Sequence, residues 1–167
     1  PTRQMVPTLA GIGAVATAPD GRFWLTNPLG LLSWSPLSWR LPHGRPNDRG
    51  LASALALDGA GVTWSLYLAG LVAQRGVETW TFGWDALGGS PGDGNDALVA
   101  LRSGAVAVGI AGGIAVVEGG DGPVRRVLAP PGERWRMVGD AGDGVAWVLV
   151  ADGSGRHVAR FDGHAVR

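Results

Sequence analysis

The sequence contains no cysteine and no lysine. Without cysteine the chain has no disulfide framework and no thiolate metal site. The absence of cysteine favours neither an oxidising nor a reducing compartment. All 14 basic residues are arginines, whose planar guanidinium groups suit bidentate recognition of carboxylate or phosphate. A GC-rich coding sequence is the simpler explanation of this bias, because alanine, glycine, valine and proline are also abundant.

Long hydrophobic runs are also absent. No apolar stretch reaches the roughly 18 residues of a membrane-spanning helix, and the most apolar region, 51–71, is interrupted by Asp58 and by glycines. We therefore expect no membrane insertion. No secretory signal is visible, and the first residue is Pro1 rather than methionine. We expect either a processed chain or a segment of a longer protein.

The charge balance is neutral, with 14 acidic and 14 basic residues. A formal net charge of zero gives no general attraction to nucleic acid or to an anionic membrane, so neither is an expected partner. Apolar residues make up 46% and charged residues 17% of the 167 residues. That composition excludes a disordered acidic or basic tail and is sufficient for one domain with a sizeable core.

A sequence repeat of about 40 residues occurs four times in the chain. Trp24 and Trp64 lie 40 residues apart, Trp147 occupies the same position of the fourth copy, and the third copy has Ala107 there. The next apolar run of each copy opens with Leu31, Leu71, Ile114 and Val158, respectively. Such a fixed period indicates a repeat architecture rather than low complexity, despite the 29 glycines and 11 prolines.

Each copy contains four short runs typical of β-strands, joined by glycine-bearing turns, with no room for a helix. One such sheet leaves an apolar face uncovered, whereas sheets stacked around an axis bury it. The sequence therefore predicts an all-β propeller in a single domain, 1–167, with four repeats of four antiparallel strands. The predicted blades are 9–42, 49–83, 92–129 and 135–167. We expect Trp24, Trp64 and Trp147 to fill the wedges between blades.

The residues of this repeat resemble two groups of known propellers. The pattern D-G-x-x-W-x-x-x-x-x-G-L, seen at 20–31, resembles the repeat in the periplasmic sensors of hybrid two-component regulators. The segments APDGRFWLT and WRLPHGRPNDRGLASALALDG resemble virginiamycin B lyase-like propellers. The first resemblance implies a sensing role and the second a lyase. No catalytic histidine or metal-binding glutamate of the lyase family matches a position of this sequence.

Irregular polar and aromatic segments are expected on one face of the propeller, which we call the loop face. There the turns between second and third strands meet the connections between blades, whereas the other face consists of short glycine turns. Rigid scaffolds commonly bind ligands through such loops. The expected ligand-binding residues are His43, Arg45, Asn47, Asp48, Tyr67, Trp84, Asp85, Trp135 and Arg156. The cluster LPHGRPNDRG at 41–50 is typical of a site for an anionic or hydroxylated ligand, or of a solvated loop.

Metal sites are only weakly indicated. Asp93, Asn95 and Asp96 bring together the oxygen ligands that Ca²⁺ prefers, but the segment lacks the closing glutamate of an EF-hand, and a polar turn is the simpler interpretation. No two of the three histidines have the spacing of metal ligands. We expect no cofactor.

Three function classes remain open. The favoured one is a non-enzymatic binding or sensing module that takes a small molecule or a protein on the loop face. The others are a propeller enzyme of the lyase or hydrolase type, and a structural part of a larger ring. An enzyme would show ionisable side chains with perturbed pKa values converging near the axis.

The fourth repeat stops where its last strand should begin. Residues 2–6 resemble a fourth-strand segment and are predicted to complete the last blade as a clasp between the chain ends. The alternative is that a second chain completes the ring. Either arrangement would cover an otherwise exposed sheet edge.

Overall fold

The computed structural model describes residues 13–18, 22–28, 30–35, 38–40, 52–90 and 97–167. These residues form four antiparallel sheets, which we call blades 1 to 4. Blade 1 consists of β1 (Val15–Thr17), β2 (Phe23–Asn27), β3 (Gly30–Ser35) and β4 (Ser38–Arg40). Blade 2 consists of β5 (Ala54–Leu57), β6 (Thr63–Tyr67), β7 (Gly70–Arg75) and β8 (Glu78–Gly83).

The second half of the chain continues the pattern. Blade 3 consists of β9 (Leu98–Ala100), β10 (Val106–Ile110), β11 (Gly113–Val117) and β12 (Val124–Leu128). Blade 4 consists of β13 (Arg134–Asp140), β14 (Ala146–Asp152) and β15 (Gly155–Phe161). In every blade each strand pairs with the next strand along the chain. The predicted four-repeat, all-β propeller is thus confirmed.

One helix interrupts the strands of the described residues, contrary to the prediction of no helix. It is the single turn α1 (Trp84–Leu87), between blades 2 and 3. Gly88 ends it in the left-handed conformation at φ 77°, which glycine adopts without a steric penalty. In the part of the chain that is described, no helix has both the length and the apolar content to cross a membrane.

Hydrophobic residues pack between successive blades. Strand side chains alternate between the two faces of a sheet, so we call the face toward the next blade the leading face and the opposite one the trailing face. The leading face of blade 2 and the trailing face of blade 3 form one core, which contains Trp64, Leu66, Leu71, Val106, Val108 and Ile110. The leading face of blade 3 and the trailing face of blade 4 form a second core, which contains Ala107, Ile114, Val116, Met137, Val148 and Ala159.

The inner strands contact each other in order around the axis, β1 with β5, β5 with β9 and β9 with β13. Among the described strands no comparable contact joins β13 to β1, and no hydrophobic cluster of described residues joins blade 4 to blade 1. The described blades therefore form an open arc.

The repeated tryptophans differ in burial. Trp64 is completely buried, as predicted, and Trp24 is half-buried. The prediction that Trp147 is core is wrong, because this side chain is 39% exposed. It lies on the leading face of blade 4, and no described blade packs against that face.

The last residues of the chain pair with β15, the outer strand of blade 4. Val166 forms a bridge with Phe161, and the backbones of Arg160 and Arg167 exchange hydrogen bonds of 2.7 and 2.9 Å. The start of a fourth strand is thus supplied by the C-terminal residues. The clasp predicted for residues 2–6 lies outside the described residues and stays a prediction.

Candidate functional site

The turns between second and third strands lie beside the connections between blades, which is the geometry expected of the loop face. In blade 2, the indole Nε1 of Trp84 in the connection donates a 2.8 Å hydrogen bond to the carbonyl of Leu68 in the β6–β7 turn. In blade 3, the backbone N–H of Ala129 donates a 2.9 Å hydrogen bond to the carbonyl of Gly112 in the β10–β11 turn. These bonds hold the two kinds of loop together at one end of blades 2 and 3.

A cleft of about 490 Å³ opens at this end, beside blade 4 and the β10–β11 turn of blade 3. We call it the arginine cleft. Ala111 and Gly112 of the β10–β11 turn form its blade 3 wall. The remaining lining residues belong to blade 4 and to the segment just before it: Glu133, Arg134, Trp135, Arg136, Leu149, Ala151 and Arg156.

The strand register explains why the arginines meet. Arg134 and Arg156 both pair with Ala151, from opposite sides of the central strand β14. Two strand spacings separate their backbones, which is roughly 10 Å. Arg136 is two residues beyond Arg134 and therefore lies on the same face, opposite Leu149. Three guanidinium groups thus project from one side of the sheet and are exposed.

The acidic group in the cleft is already engaged. The Oε2 atom of Glu133 accepts a 2.8 Å hydrogen bond from the indole Nε1 of Trp135. Trp135 itself is half-buried against the core between blades 3 and 4, so both its position and its polar atom are fixed. Among the described residues, no side-chain hydrogen bond or ion pair engages the guanidinium group of Arg134 or of Arg156.

The turn that carries Arg156 is stabilised by Asp152. Its Oδ1 atom accepts hydrogen bonds from the hydroxyl of Ser154 (2.6 Å), the backbone N–H of Ser154 (2.7 Å) and that of Gly155 (3.2 Å). The Ser154 hydroxyl, with these backbone donors, holds the pKa of Asp152 below its usual value near 3.8. The ionised carboxylate therefore stabilises the turn next to Arg156.

Of the predicted ligand-binding residues that the structure describes, Trp135 and Arg156 share the arginine cleft. Tyr67 is buried in a small cluster with Ala52 and Val72, away from the loop surface. Trp84 and Asp85 lie on α1. Trp84 is half-buried against the core between blades 2 and 3, and Asp85 is exposed. The other predicted residues, His43, Arg45, Asn47, Asp48, Asp93, Asn95 and Asp96, lie outside the described residues.

Arg134 and Arg136 were missed by the sequence analysis. The signal was present in the segment ERWRM at 133–137, because alternate residues of a strand share a face. Their convergence with Arg156 depends on the pairing of three strands, which the spacing within one segment does not reveal. Within the described ranges, no group of three histidine, aspartate or glutamate side chains is placed to hold a metal ion.

No protein-family model matches the chain, and no curated protein sequence matches it. Several solved structures do match. A streptogramin B lyase superposes with a TM-score of 0.61 at 12% identity, over 90% of this chain and 54% of the lyase. A catalytically inactive virginiamycin B lyase from Staphylococcus aureus, solved with quinupristin, gives a TM-score of 0.59 at 13% identity, over 93% of this chain and 57% of that one.

A third match is the extracellular domain of a protein described as a hybrid two-component system of B. thetaiotaomicron. It gives a TM-score of 0.61 at 15% identity, over 93% of this chain and 23% of that chain. The class defined by fold and site is thus a β-propeller with an arginine-lined cleft on its loop face. The resemblance to sensor-type and lyase-type propellers is confirmed at the level of the fold. The chain spans about half the length of the lyases and under a quarter of the sensor protein.

Proposed function

We propose that the protein is a non-enzymatic binding module that takes a small anionic ligand in the arginine cleft. The observation that carries the proposal is the group Arg134, Arg136 and Arg156 on one side of blade 4. The carboxylate beside them, Glu133, already accepts a hydrogen bond from Trp135. Clustered guanidinium groups attract anions and bind carboxylate or phosphate oxygens in a bidentate manner.

The spacing favours a ligand with more than one anionic group. Arg134 and Arg156 are separated by two strand spacings, roughly 10 Å between backbones, so one compact molecule with two or three carboxylates or phosphates reaches both. Leu149, which lies on the same face of the sheet opposite Arg136, offers an apolar contact to the carbon skeleton of such a ligand.

Two further features support binding without catalysis. The carboxyl groups with lowered pKa values, Asp152 and Asp162, lie in turns and accept hydrogen bonds from their own turns, which is a stabilising arrangement. In addition, one of the structures with the same fold is the extracellular domain of a hybrid two-component system.

Isothermal titration calorimetry with citrate and with pyrophosphate tests the proposal, and uncharged glucose serves as the control ligand. We expect one of the two anions to bind in a salt-dependent manner and glucose not to bind. Arg134→Gln and Arg156→Gln should each weaken binding by about tenfold, as expected for loss of one charge-assisted hydrogen-bonding group.

Arg75→Gln is the matched control. It removes one arginine from the ion pair with Glu78 at the β7–β8 turn, outside the cleft, and should leave the affinity unchanged. Equal weakening by all three substitutions would show a non-specific charge effect and contradict the proposal. Failure of both anions to bind the wild-type protein would also contradict it.

A further inference from the structure

Blades 2 and 3 differ at one position of their outer strands. Trp80 of β8 pairs with Ala73, and Arg125 of β12 pairs with Val116. In each blade this partner pairs in turn with the repeat position that holds Trp64 in blade 2. Arg125 therefore stands at the position where blade 2 has a tryptophan, and both side chains lie on the leading face.

In blade 2 this tryptophan fills the space toward the next blade. The ring of Trp80 lies so close to Gly120 in the β11–β12 turn that a Cβ atom there would overlap it. The ring also packs against the core between blades 2 and 3. The guanidinium carbon of Arg75 lies 5.7 Å from the ring centre. This place between two blades therefore accommodates an indole.

Between blades 3 and 4 the corresponding place is a cavity of about 350 Å³, which we call the interblade cavity. Its volume is in the range of ligand pockets, roughly 300–1,000 Å³. Ala105 and Val116 of the core between these blades contribute an apolar lining. The cavity lies at the end of the blades that carries the glycine turns, beside the β9–β10 and β11–β12 turns. It shares no lining residue with the arginine cleft.

Two opposite charges stand side by side at the interblade cavity. The Nε atom of Arg125 lies 4.0 Å from Oε1 of Glu118, which is too far for a hydrogen bond. The Nη2 atom of Arg125 donates a hydrogen bond to the carbonyl of Gly163 in blade 4. This bond fixes the guanidinium group across the gap between the blades, and its other N–H groups are available to a ligand. Both charged side chains are partly exposed, Arg125 to 38% and Glu118 to 54%.

We propose that the interblade cavity binds a free aromatic amino acid. The aromatic ring occupies the space that corresponds to that of Trp80 and contacts Ala105 and Val116. The carboxylate of the ligand pairs with Arg125, whose planar guanidinium group matches a carboxylate. The ammonium group of the ligand pairs with Glu118. Both charges of an amino acid are attached to one carbon atom, so they match two protein charges that stand 4.0 Å apart.

The pair of protein charges favours a zwitterion over a ligand with a single charge. A ligand with only a carboxylate would hold it beside Glu118, and a ligand with only an amine would hold it beside Arg125. Like charges at such distances repel each other. An amino acid without a ring would leave the apolar lining of the cavity in contact with water and lose the free energy of its burial.

Isothermal titration calorimetry with L-tryptophan tests the proposal, because an indole is the ring that fills the corresponding space in blade 2. The comparison ligands are indole-3-propionate, which lacks the ammonium group, tryptamine, which lacks the carboxylate, and L-alanine, which lacks the ring. We expect L-tryptophan to bind and each comparison ligand to bind about tenfold more weakly or less. Absence of L-tryptophan binding, or equal binding of any comparison ligand, would overturn the proposal.

Two substitutions locate the binding site. Arg125→Trp should abolish binding, because it introduces the side chain that fills the corresponding space in blade 2. Glu118→Gln should weaken the binding of L-tryptophan by about tenfold and leave that of indole-3-propionate no weaker, because it removes only the partner of the ammonium group.

Arg126→Gln is the matched control. Arg126 is the next residue of β12 and lies on the opposite face of the sheet, where its guanidinium group contacts α1. The affinity for L-tryptophan should be unchanged in this variant. Circular dichroism checks that all three variants fold, and the exposed Glu118 provides the test if Arg125→Trp does not. Binding that persists in folded Arg125→Trp, or equal weakening by Glu118→Gln and Arg126→Gln, would overturn the proposal.

Discussion

The indole Nε1 of Trp64 donates a 2.9 Å hydrogen bond to Oδ2 of Asp58 in the interior of blade 2. The other carboxylate oxygen of Asp58 accepts hydrogen bonds of 2.9 Å from the backbone N–H groups of Ala60 and Val62. One buried carboxylate therefore fixes both the turn before β6 and the tryptophan that fills the space between blades.

Asp58→Ala removes these bonds and leaves the Nε1 atom of Trp64 buried without an acceptor. We expect a loss of about 1–3 kcal/mol in the free energy of unfolding, the cost of an unsatisfied buried group. Chemical denaturation measures it. Asp121→Ala, in an exposed turn, is the control and should change stability by no more than about 0.5 kcal/mol. Equal effects of the two substitutions would contradict the role of Asp58.

Blade 1 lacks this carboxylate. Ala18 in blade 1 occupies the position of Asp58 in blade 2, because each donates its backbone N–H to the carbonyl four residues later. The Ala18–Arg22 hydrogen bond is 2.8 Å long and the Asp58–Val62 hydrogen bond is 3.1 Å long. The Nε1 atom of Trp24 is buried and has no hydrogen-bond partner. Ala18→Asp should supply the acceptor and raise the free energy of unfolding by about 1 kcal/mol.

Blade 4 provides the control for Ala18→Asp. Ala141 occupies the same turn position, with its N–H bonded to the carbonyl of Val145 at 2.7 Å, but Trp147 beside it is exposed. Ala141→Asp should give no comparable gain, because an exposed indole already bonds to water. If chemical denaturation gave similar increases in the free energy of unfolding for both substitutions, the effect would come from the turn alone.

Gly70 and Gly155 are the first residues of the third strands of blades 2 and 4. Comparing them distinguishes the cost of an unfavourable backbone conformation from the cost of a steric clash. Gly70 and Gly155 have nearly the same φ, 135° and 137°, a region that favours glycine. A side chain at Gly70 would overlap the carbonyl oxygen of Phe82 in the outer strand, whereas the space around Gly155 is open. Gly70→Ala should therefore lower the denaturation free energy by about 1–3 kcal/mol more than Gly155→Ala. Equal losses would leave strain as the whole cause.

The C-terminal pairing should weaken in acid. Oδ1 of Asp162 accepts hydrogen bonds from the backbone N–H groups of Ala165 and His164, and these bonds hold the pKa of Asp162 below its usual value near 3.8. A depressed folded-state pKa means that the stabilisation is present above the unfolded value and is lost as the pH falls through the folded value.

Amide chemical shifts of Arg160 and Arg167, followed by NMR from about pH 6 to about pH 2, measure this change. We expect them to move toward disordered values below about pH 4. In Asp162→Ala they should already be displaced at neutral pH and respond little to acid. A wild-type acid response that persists unchanged in this variant would assign it to another group.

The glycine turns and alternating runs of the sequence were sufficient to predict the strands and the propeller. Val124–Leu128 and Ala54–Leu57 are two of these strands. These features depend on local backbone conformation and on the two-residue period of a strand, and neighbouring residues determine both. Trp135 and Arg156 could be assigned to the loop face for the same reason.

Only the tertiary structure decided which side chains are buried and which arginines converge on one site. Trp64 and Trp147 occupy the same position of the repeat, yet one is buried and the other exposed, because burial depends on whether another blade covers that face. Tyr67 follows β-strand periodicity onto a trailing face and is buried there. The arginine cleft exists because three strands in register bring Arg134, Arg136 and Arg156 together, a relationship between distant segments that no single segment of the sequence contains.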